Sequence, residues 1–269
     1  MTNAIATFRS LHAPGEMLVL PNAWDSASAA LFAASGARAT ATTSSGLAWS
    51  LGYPDGEHVP VALLADVVRR MVRTVDIPVS VDLERGYGRT PREVAETVAR
   101  ILDTGAVGFN LEDGSGDPGA FAEHLHAARE AAQRAGVDAF INARTDIVLH
   151  GKHPAEQHVS ECLARAKVYA AAGADGFFVP GLRTPEHIEA ISKGTPLPLN
   201  VFSGPGLADV ATLRQLGVRR LSVGGRLTEV AYEAARRACV ELLDSGTYSS
   251  FFPAEITYAK MNAFFAGKN

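Results

Sequence analysis

Acidic side chains stand at the ends of two successive apolar runs. Ile77-Pro78-Val79-Ser80-Val81 leads into Asp82-Leu83-Glu84-Arg85-Gly86-Tyr87-Gly88, and the run from Ala106 to Leu111 closes on Glu112-Asp113. Acids at the carboxyl ends of neighbouring parallel strands converge on one face of a barrel, where hard oxygen ligands suit a magnesium-type cation. Asp82 and Glu84 are two apart, which in an extended strand end puts both side chains on one side of the backbone, and Glu112 arrives from the adjacent strand. These three are the expected metal-site residues, for magnesium with manganese as a substitute. An ion held by few carboxylates keeps positions open for a substrate's carboxylate and carbonyl oxygens. The D-x-E pattern alone is weak, since solvated acids at loop starts have the same spelling.

Other polar residues close the remaining apolar runs. The first ends Leu20-Pro21-Asn22-Ala23-Trp24-Asp25, the second Thr42-Thr43-Ser44-Ser45-Gly46, and the fifth Ile141-Asn142-Ala143-Arg144-Thr145-Asp146. Arg144 offers a planar fork able to hold a carboxylate or phosphoryl group bidentately, or else an internal ion pair with Asp146 or a site acid. Ser44, Ser45 and Gly46 offer hydroxyls and a free N–H to an anionic oxygen, or simply make a turn. Gly86-Tyr87-Gly88-Arg89-Thr90-Pro91 lacks the last glycine of a dinucleotide fingerprint and reads as a sharp turn after the acids. Ser203-Gly204-Pro205-Gly206 and Ser222-Val223-Gly224-Gly225-Arg226 leave open a phosphate cradle after the last two strands, a reading weakened by the acids that would repel its ligand.

Eight short β-type runs position these residues: Met17 to Leu20, Ala39 to Thr43, Val79 to Asp82, Val107 to Glu112, Ala139 to Ala143, Gly176 to Val179, Leu197 to Phe202 and Leu221 to Val223. Helical patterns lie between and after them, near 25–35, 60–75, 91–103, 120–135, 155–172, 185–192, 207–216 and 226–244. Strict alternation with right-handed crossovers predicts a (β/α)8 barrel as one domain over 1–269. Gly36, Gly105, Gly136, Gly173 and Gly217 each follow a helical stretch where a left-handed cap is wanted. Thr90-Pro91 with Glu93, and Thr184-Pro185 with Glu186, read as helix starts. The tail over 245–269 carries Tyr258, Met261, Phe264 and Phe265 at helical spacing; this stripe covers the barrel's own helices or makes a subunit contact.

A formal charge of −4 without a basic stripe argues against a nucleic-acid surface. Met1 to Ser10 has no apolar leader core and no run reaches the roughly 18 residues of a membrane span, so the chain reads as cytoplasmic. Cys162 and Cys239 sit in helical patterns as expected buried thiols, and no histidine pair has the spacing of zinc ligands on a helix; most histidines are expected at solvated positions.

Four ordered segments, Ser45-Gly46-Leu47, Asp82 to Gly88, Leu111-Glu112-Asp113 and Ala143-Arg144-Thr145-Asp146, resemble the isocitrate lyase/phosphoenolpyruvate mutase superfamily over about Pro21 to Gly225. The resemblance implies a magnesium-bearing barrel acting on small 2-oxo acids or related carboxylates, making or breaking C–C or P–C bonds through enolate-like species. It assigns the metal-site acids to Asp82, Glu84 and Glu112, with Asp55 in Gly52-Tyr53-Pro54-Asp55-Gly56 nearby. Thr43, Ser44, Ser45, Gly46, Leu47, Arg144 and Asn200 are then the substrate contacts, and Arg144, Ser45, Tyr53 and Asp55 the catalytic residues, Tyr53 or a water returning the proton. Family members tend to exchange the eighth helix and form dimers or dimers of dimers, which would employ the aromatic tail. Two departures narrow the chemistry. Gly114-Ser115-Gly116-Asp117-Pro118-Gly119 stands where isocitrate-type lyases carry a Lys-[Lys/Arg]-Cys-Gly-His loop, and Thr43 stands where mutases place an aromatic residue. The expected activity is therefore a lyase or decarboxylase of a small 2-oxo or 2-hydroxy acid. The alternatives are a phosphoenolpyruvate mutase or phosphonopyruvate hydrolase, and a non-catalytic small-acid sensor.

Overall fold

The computed structural model describes residues 2–252 and 255–267. Met1, Pro253, Ala254, Lys268 and Asn269, which include a step of the expected tail, lie outside the described residues. The strands are β1 (Leu18–Leu20), β2 (Asn22–Ala23), β3 (Thr40–Thr42), β4 (Val79–Asp82), β5 (Gly108–Glu112), β6 (Phe140–Arg144), β7 (Gly176–Val179), β8 (Leu199–Phe202) and β9 (Arg220–Ser222). All pairings are parallel, in the order β1-β9-β8-β7-β6-β5-β4-β3-β2.

β1 and β2 are two halves of the first expected strand. Proline has no N–H to donate, so the ladder is interrupted at Pro21. β1 pairs with β9 and β2 with β3, while the Pro21 carbonyl still accepts the Ala41 N–H at 3.2 Å. The ring therefore closes through Pro21 as a (β/α)8 barrel.

The helices are α1 (Thr2–Ser10), α2 (Ser26–Ala34), α3 (Ser44–Ser50), α4 (Val61–Thr74), α5 (Pro91–Leu102), α6 (Pro118–Arg134), α7 (His158–Ala171), α8 (Pro185–Gly194), α9 (Val210–Gln215), α10 (Arg226–Val240) and α11 (Tyr258–Phe265). Alternation along the strands sends Phe109, Leu111, Ile141 and Val201 outward, where they are buried with Val68, Val98, Ile101 and Leu125 in one continuous core. Helices end where expected: Gly36 (φ 93°) and Gly173 (φ 99°) take the left-handed conformation that a Cβ disfavours. Thr90 and Glu93 form the expected reciprocal cap, whereas Thr184 precedes α8 without a side-chain cap bond.

Two helices were not legible as such. α3 reads Ser-Ser-Gly-Leu-Ala-Trp-Ser, poor helix formers that suggested a turn; burial of Leu47 and Ala48 holds it. α1 closes the amino-terminal end of the barrel, where Phe8 meets the Phe140 ring edge-on at 5.6 Å and His12 stacks on it at 4.1 Å. Its Arg9 bonds Asp138 and Asp175, which precede β6 and β7. His12 is thus an exception to the expected solvated histidines.

α10 buries only Thr228, and Val230, Tyr232, Val240 and Leu243 are exposed. Cys162 is buried as expected, but Cys239 is exposed, a correction that follows from this unburied helix. Among the described residues no helix is long and apolar enough to cross a membrane.

Burial, and secondarily the Arg220 charge, hold the His12 pKa down to about 3. The unfolded chain takes up the proton near pH 6.5 while the native ring stays neutral, so this group's contribution is complete above pH 6.5 and is lost as pH falls toward 3. Between pH 7 and 5 it should remove about 2 kcal/mol of unfolding free energy at ~1.4 kcal/mol per unit. Urea titrations of wild type and His12→Asn check this: the variant should lack that increment, and equal losses in both proteins would overturn the assignment.

Candidate active site

Strand ends decide which expected residues meet. β4 ends at Asp82, whose N–H donates to Thr42 Oγ1 at 2.8 Å, and the side chain lines a cavity of about 180 Å³ at the carboxyl end of the barrel. Thr43, Ser44, Ser45, Asp55 and Arg144 line it too. Thr43 and Ser45 hydroxyls are 3.2 Å apart, and Ser45 lies against Gly225, where a Cβ would come within 2.6 Å of its Oγ. A Cβ on Gly46 would meet Thr228 Oγ1 at 2.4 Å, so Gly46 serves close helix packing and does not line the cavity. Leu47 is core, and Tyr53 packs against the core without lining the cavity. Asn200 lies buried in the barrel interior beneath it.

Glu84 does not share the strand face of Asp82. The strand stops two residues earlier, and Glu84 has φ 49°, outside the strand conformation that would align it with Asp82. Its carboxylate accepts from the Glu57 N–H (3.0 Å to each oxygen) and the Tyr87 hydroxyl (3.0 Å). Glu57 returns the contact, Oε1 accepting from the Tyr87 N–H at 2.6 Å. This clasp ties the loop bearing Asp55 to the loop that follows β4.

Glu112 faces Arg144 across the β5–β6 register, Oε2 to Nη1 at 2.8 Å. Arg144 also donates from Nε and Nη2 to Asp146, at 2.7 and 3.2 Å, and lies over the Phe178 ring. The internal ion pair and the cavity-lining fork are therefore both present. Asp113 supports the group from behind: its carboxylate accepts from Arg165 Nη1 (2.7 Å), the Tyr169 hydroxyl (2.5 Å) and the N–H groups of Ser115 and Asp146.

The electrostatics follow from this crowding. Burial, reinforced by Asp82, Asp146 and Glu84 and opposed by Arg144, pushes the Glu112 carboxyl up to about 8. Burial and then the Asp82 charge push Glu84 up to about 7. Burial disfavours the Arg144 cation, but Glu112, Asp146 and Asp82 outweigh it and hold its pKa above the usual value.

Among the described residues no group of three or more His, Cys, Asp or Glu is arranged to hold an ion, so Asp82, Glu84 and Glu112 do not form a three-carboxylate cage. The donor set nonetheless fits a magnesium-type ion in one respect. Asp82 Oδ1 is buried without a hydrogen-bond partner, an unmet acceptor in an acid-crowded pocket. Magnesium retains waters and takes one or two carboxylates, so Asp82 with surrounding acids suffices.

Asn22, at the expected polar end of the first strand, and Ser222, Gly224 and Gly225 of the expected glycine-rich segment also line the cavity, and Asn110 does so unexpectedly. Asn22 Oδ1 accepts the Val223 and Gly224 N–H groups, both at 2.9 Å, which fixes the loop after β9. Asn110 carried a usable signal, a lone amide in the run Ala106 to Leu111 in phase with Glu112. Leu149, Phe178, Pro180 and Phe202 make an apolar wall that no pattern separates from core.

Comparison with known proteins agrees with this geometry. A family model described as phosphoenolpyruvate phosphomutase matches residues 8–243. An oxaloacetate decarboxylase of Paraburkholderia xenovorans is 33% identical over 218 residues, 76% of this chain and 70% of that protein. A Burkholderia cenocepacia J2315 structure provisionally assigned as a phosphonomutase is 46% identical with TM-score 0.82, covering 90% of this chain and 99% of that one. Oxaloacetate acetylhydrolase in complex with oxalate is 25% identical with TM-score 0.87, over 97% and 93% of the two chains. With a model match spanning most of its length and barrels of this topology among its neighbours, the chain belongs to the phosphoenolpyruvate phosphomutase family, within the phosphoenolpyruvate mutase/isocitrate lyase superfamily.

Proposed function

We propose that the protein is a magnesium-dependent carbon–carbon lyase or decarboxylase of a small 2-oxo or 2-hydroxy carboxylic acid. The observation that carries this is the buried, unpartnered Asp82 Oδ1 beside the fork of Arg144 in one cavity. Asp82, with Asp55, Glu84 and Glu112 around it, would hold the cation, which would supply Lewis-acid polarisation of the substrate oxygen next to the breaking bond. Arg144, already oriented by Glu112 and Asp146, binds the substrate carboxylate, and the Thr43 and Ser45 hydroxyls orient it. Phe178, Phe202 and Leu149 give the cavity apolar lining that limits water within it. Decarboxylase and acetylhydrolase relatives that act on oxaloacetate support this substrate class.

Phosphorus–carbon chemistry is the second reading, favoured by the Burkholderia cenocepacia relative. It has less support from the pocket. Arg144 is the one cationic side chain lining the cavity among the described residues, and two carboxylates already engage it, which suits a phosphonate's greater charge poorly.

A panel of oxaloacetate and related 2-oxo and 2-hydroxy acids separates the readings, with phosphorus NMR on phosphonopyruvate alongside. Turnover should vanish with a chelator and return with magnesium or manganese, and Asp82→Asn should lower kcat/KM by ~10³-fold. Metal-independent turnover, or a fully active Asp82→Asn enzyme, would refute the mechanism; binding without turnover across the panel would mark a sensor. Arg144→Lys keeps the charge but loses the fork, and should raise KM at least ~10-fold. We also propose that α10 packs on a second copy of the chain, giving a dimer or dimer of dimers. Light scattering should then give a multiple of 28.4 kDa, which Val230→Glu reduces; a monomeric wild type rejects the assembly.

A further inference from the structure

The barrel interior beneath the cavity is polar, and its hydrogen bonds form a closed ring. Arg220 Nε donates to Ser222 Oγ at 3.1 Å, and Ser222 Oγ donates to Asn200 Oδ1 at 3.1 Å. Asn142 Nδ2 donates both to Asn200 Oδ1 (3.1 Å) and to Asn110 Oδ1 (2.9 Å). Arg220 Nη2 closes the ring on Asn110 Oδ1 at 3.3 Å. Arg220 is 1% exposed, and no acid among the described residues lies within ion-pairing distance of it.

This ring settles the direction of one amide. A guanidinium only donates, so the Asn110 atom facing it must be the carbonyl oxygen; a flipped amide would set NH₂ against two donors with no acceptor between them. The Asn110 NH₂ group is left over. Asn110 lines the cavity in register with Asp82, and its Nδ2 makes no hydrogen bond among the described residues, yet is not among the buried atoms closed off without a partner. It therefore opens onto the cavity between the Asp82 and Arg144 positions on the flanking strands.

We infer that Asn110 contacts the substrate, its NH₂ donating to an anionic oxygen of the bound acid, and that Arg220 is the positioning residue that holds the amide in this sense. The assignment rests on the lyase reading and adds to it a neutral donor where negative charge develops. A neutral donor aimed at that point costs no reorganisation during the reaction. Burial pulls the Arg220 pKa down to about 9; Ser222 Oγ and Asn110 Oδ1 engage its Nε and Nη2, which orients both, while Nη1 is buried without a partner.

Asn110→Ala and Asn110→Asp, assayed on the best acid of the wild-type panel, test this. Asn110→Ala should lower kcat/KM by about 100-fold, chiefly in kcat, with magnesium affinity by calorimetry unchanged. Asn110→Asp presents acceptors to the cavity and gives Arg220 an acid, so it should lose at least as much activity while melting at or above the wild-type temperature. Arg220→Met should lose activity comparably, and Arg220→Lys should recover part of kcat. Folded Asn110 variants within threefold of wild-type kcat/KM, or loss confined to magnesium affinity, would overturn the inference. A wild type inert toward every acid would instead sink the lyase reading.

Discussion

One guanidinium stands among four carboxylates. Arg144 pairs directly with Glu112 and Asp146, while Asp82 and Glu84 stand close enough to raise the Glu112 pKa. Ion pairing inside a low-dielectric site leaves this group with excess negative charge, and buried charge of one sign is costly unless something neutralises it. Burial first, and then the neighbouring acids, raise the Glu84 and Glu112 carboxyls, and Asp82 Oδ1 is left without a hydrogen-bond partner. The proposed divalent cation would neutralise this excess charge and so admit a substrate anion to a pocket that would otherwise repel it.

The fold keeps the imbalance from relaxing. Asp113, buried and bonded to Arg165, Tyr169 and two backbone N–H groups, pins the turn after β5 and the segment after β6, so Glu112 and Arg144 cannot separate. The reciprocal Glu57 and Glu84 bonds hold Asp55 at the rim. Two glycines let backbones meet where a side chain would intrude, Gly46 against Thr228 and Gly225 against Ser45, and that contact sets the serine hydroxyl into the cavity. Below, the Arg220 ring replaces the usual branched aliphatic filling of a barrel with a polar floor in which a donor-only group fixes the sense of the Asn110 amide.

The cavity lining mixes acids and amides with Phe178, Phe202, Leu149 and Pro180. Phe178 lies against Arg144, and such apolar lining lowers the local dielectric, which strengthens the charge interactions beside it. The Gly114-Ser115-Gly116-Asp117 loop leads straight into α6, so closure at this edge rests on short contacts such as Ser115 Oγ to His150 Nδ1 at 3.0 Å.

Much of this molecule was written locally. Apolar runs of strand length, glycines after helices, the Thr90 cap and polar residues at strand ends are short-range features, so the barrel and the membership of Asp82, Arg144 and Ser45 in one site follow from the chain alone, while Asp55 came only from the family resemblance. Other features depend on partners far away in sequence. Burial of Leu47 and Ala48 made α3 a helix despite its Ser and Gly content, and a left-handed turn removed Glu84 from the strand geometry that adjacency with Asp82 implied. Phe178 and Phe202 became pocket walls because closure of the barrel brings them, in register with Arg144 and Ser222, onto one cavity. The direction of the Asn110 amide was set by Arg220, 110 positions away. Spacing can place side chains on a face, but the orientation of a dipole and the sharing of a charge are properties of the neighbours that folding supplies.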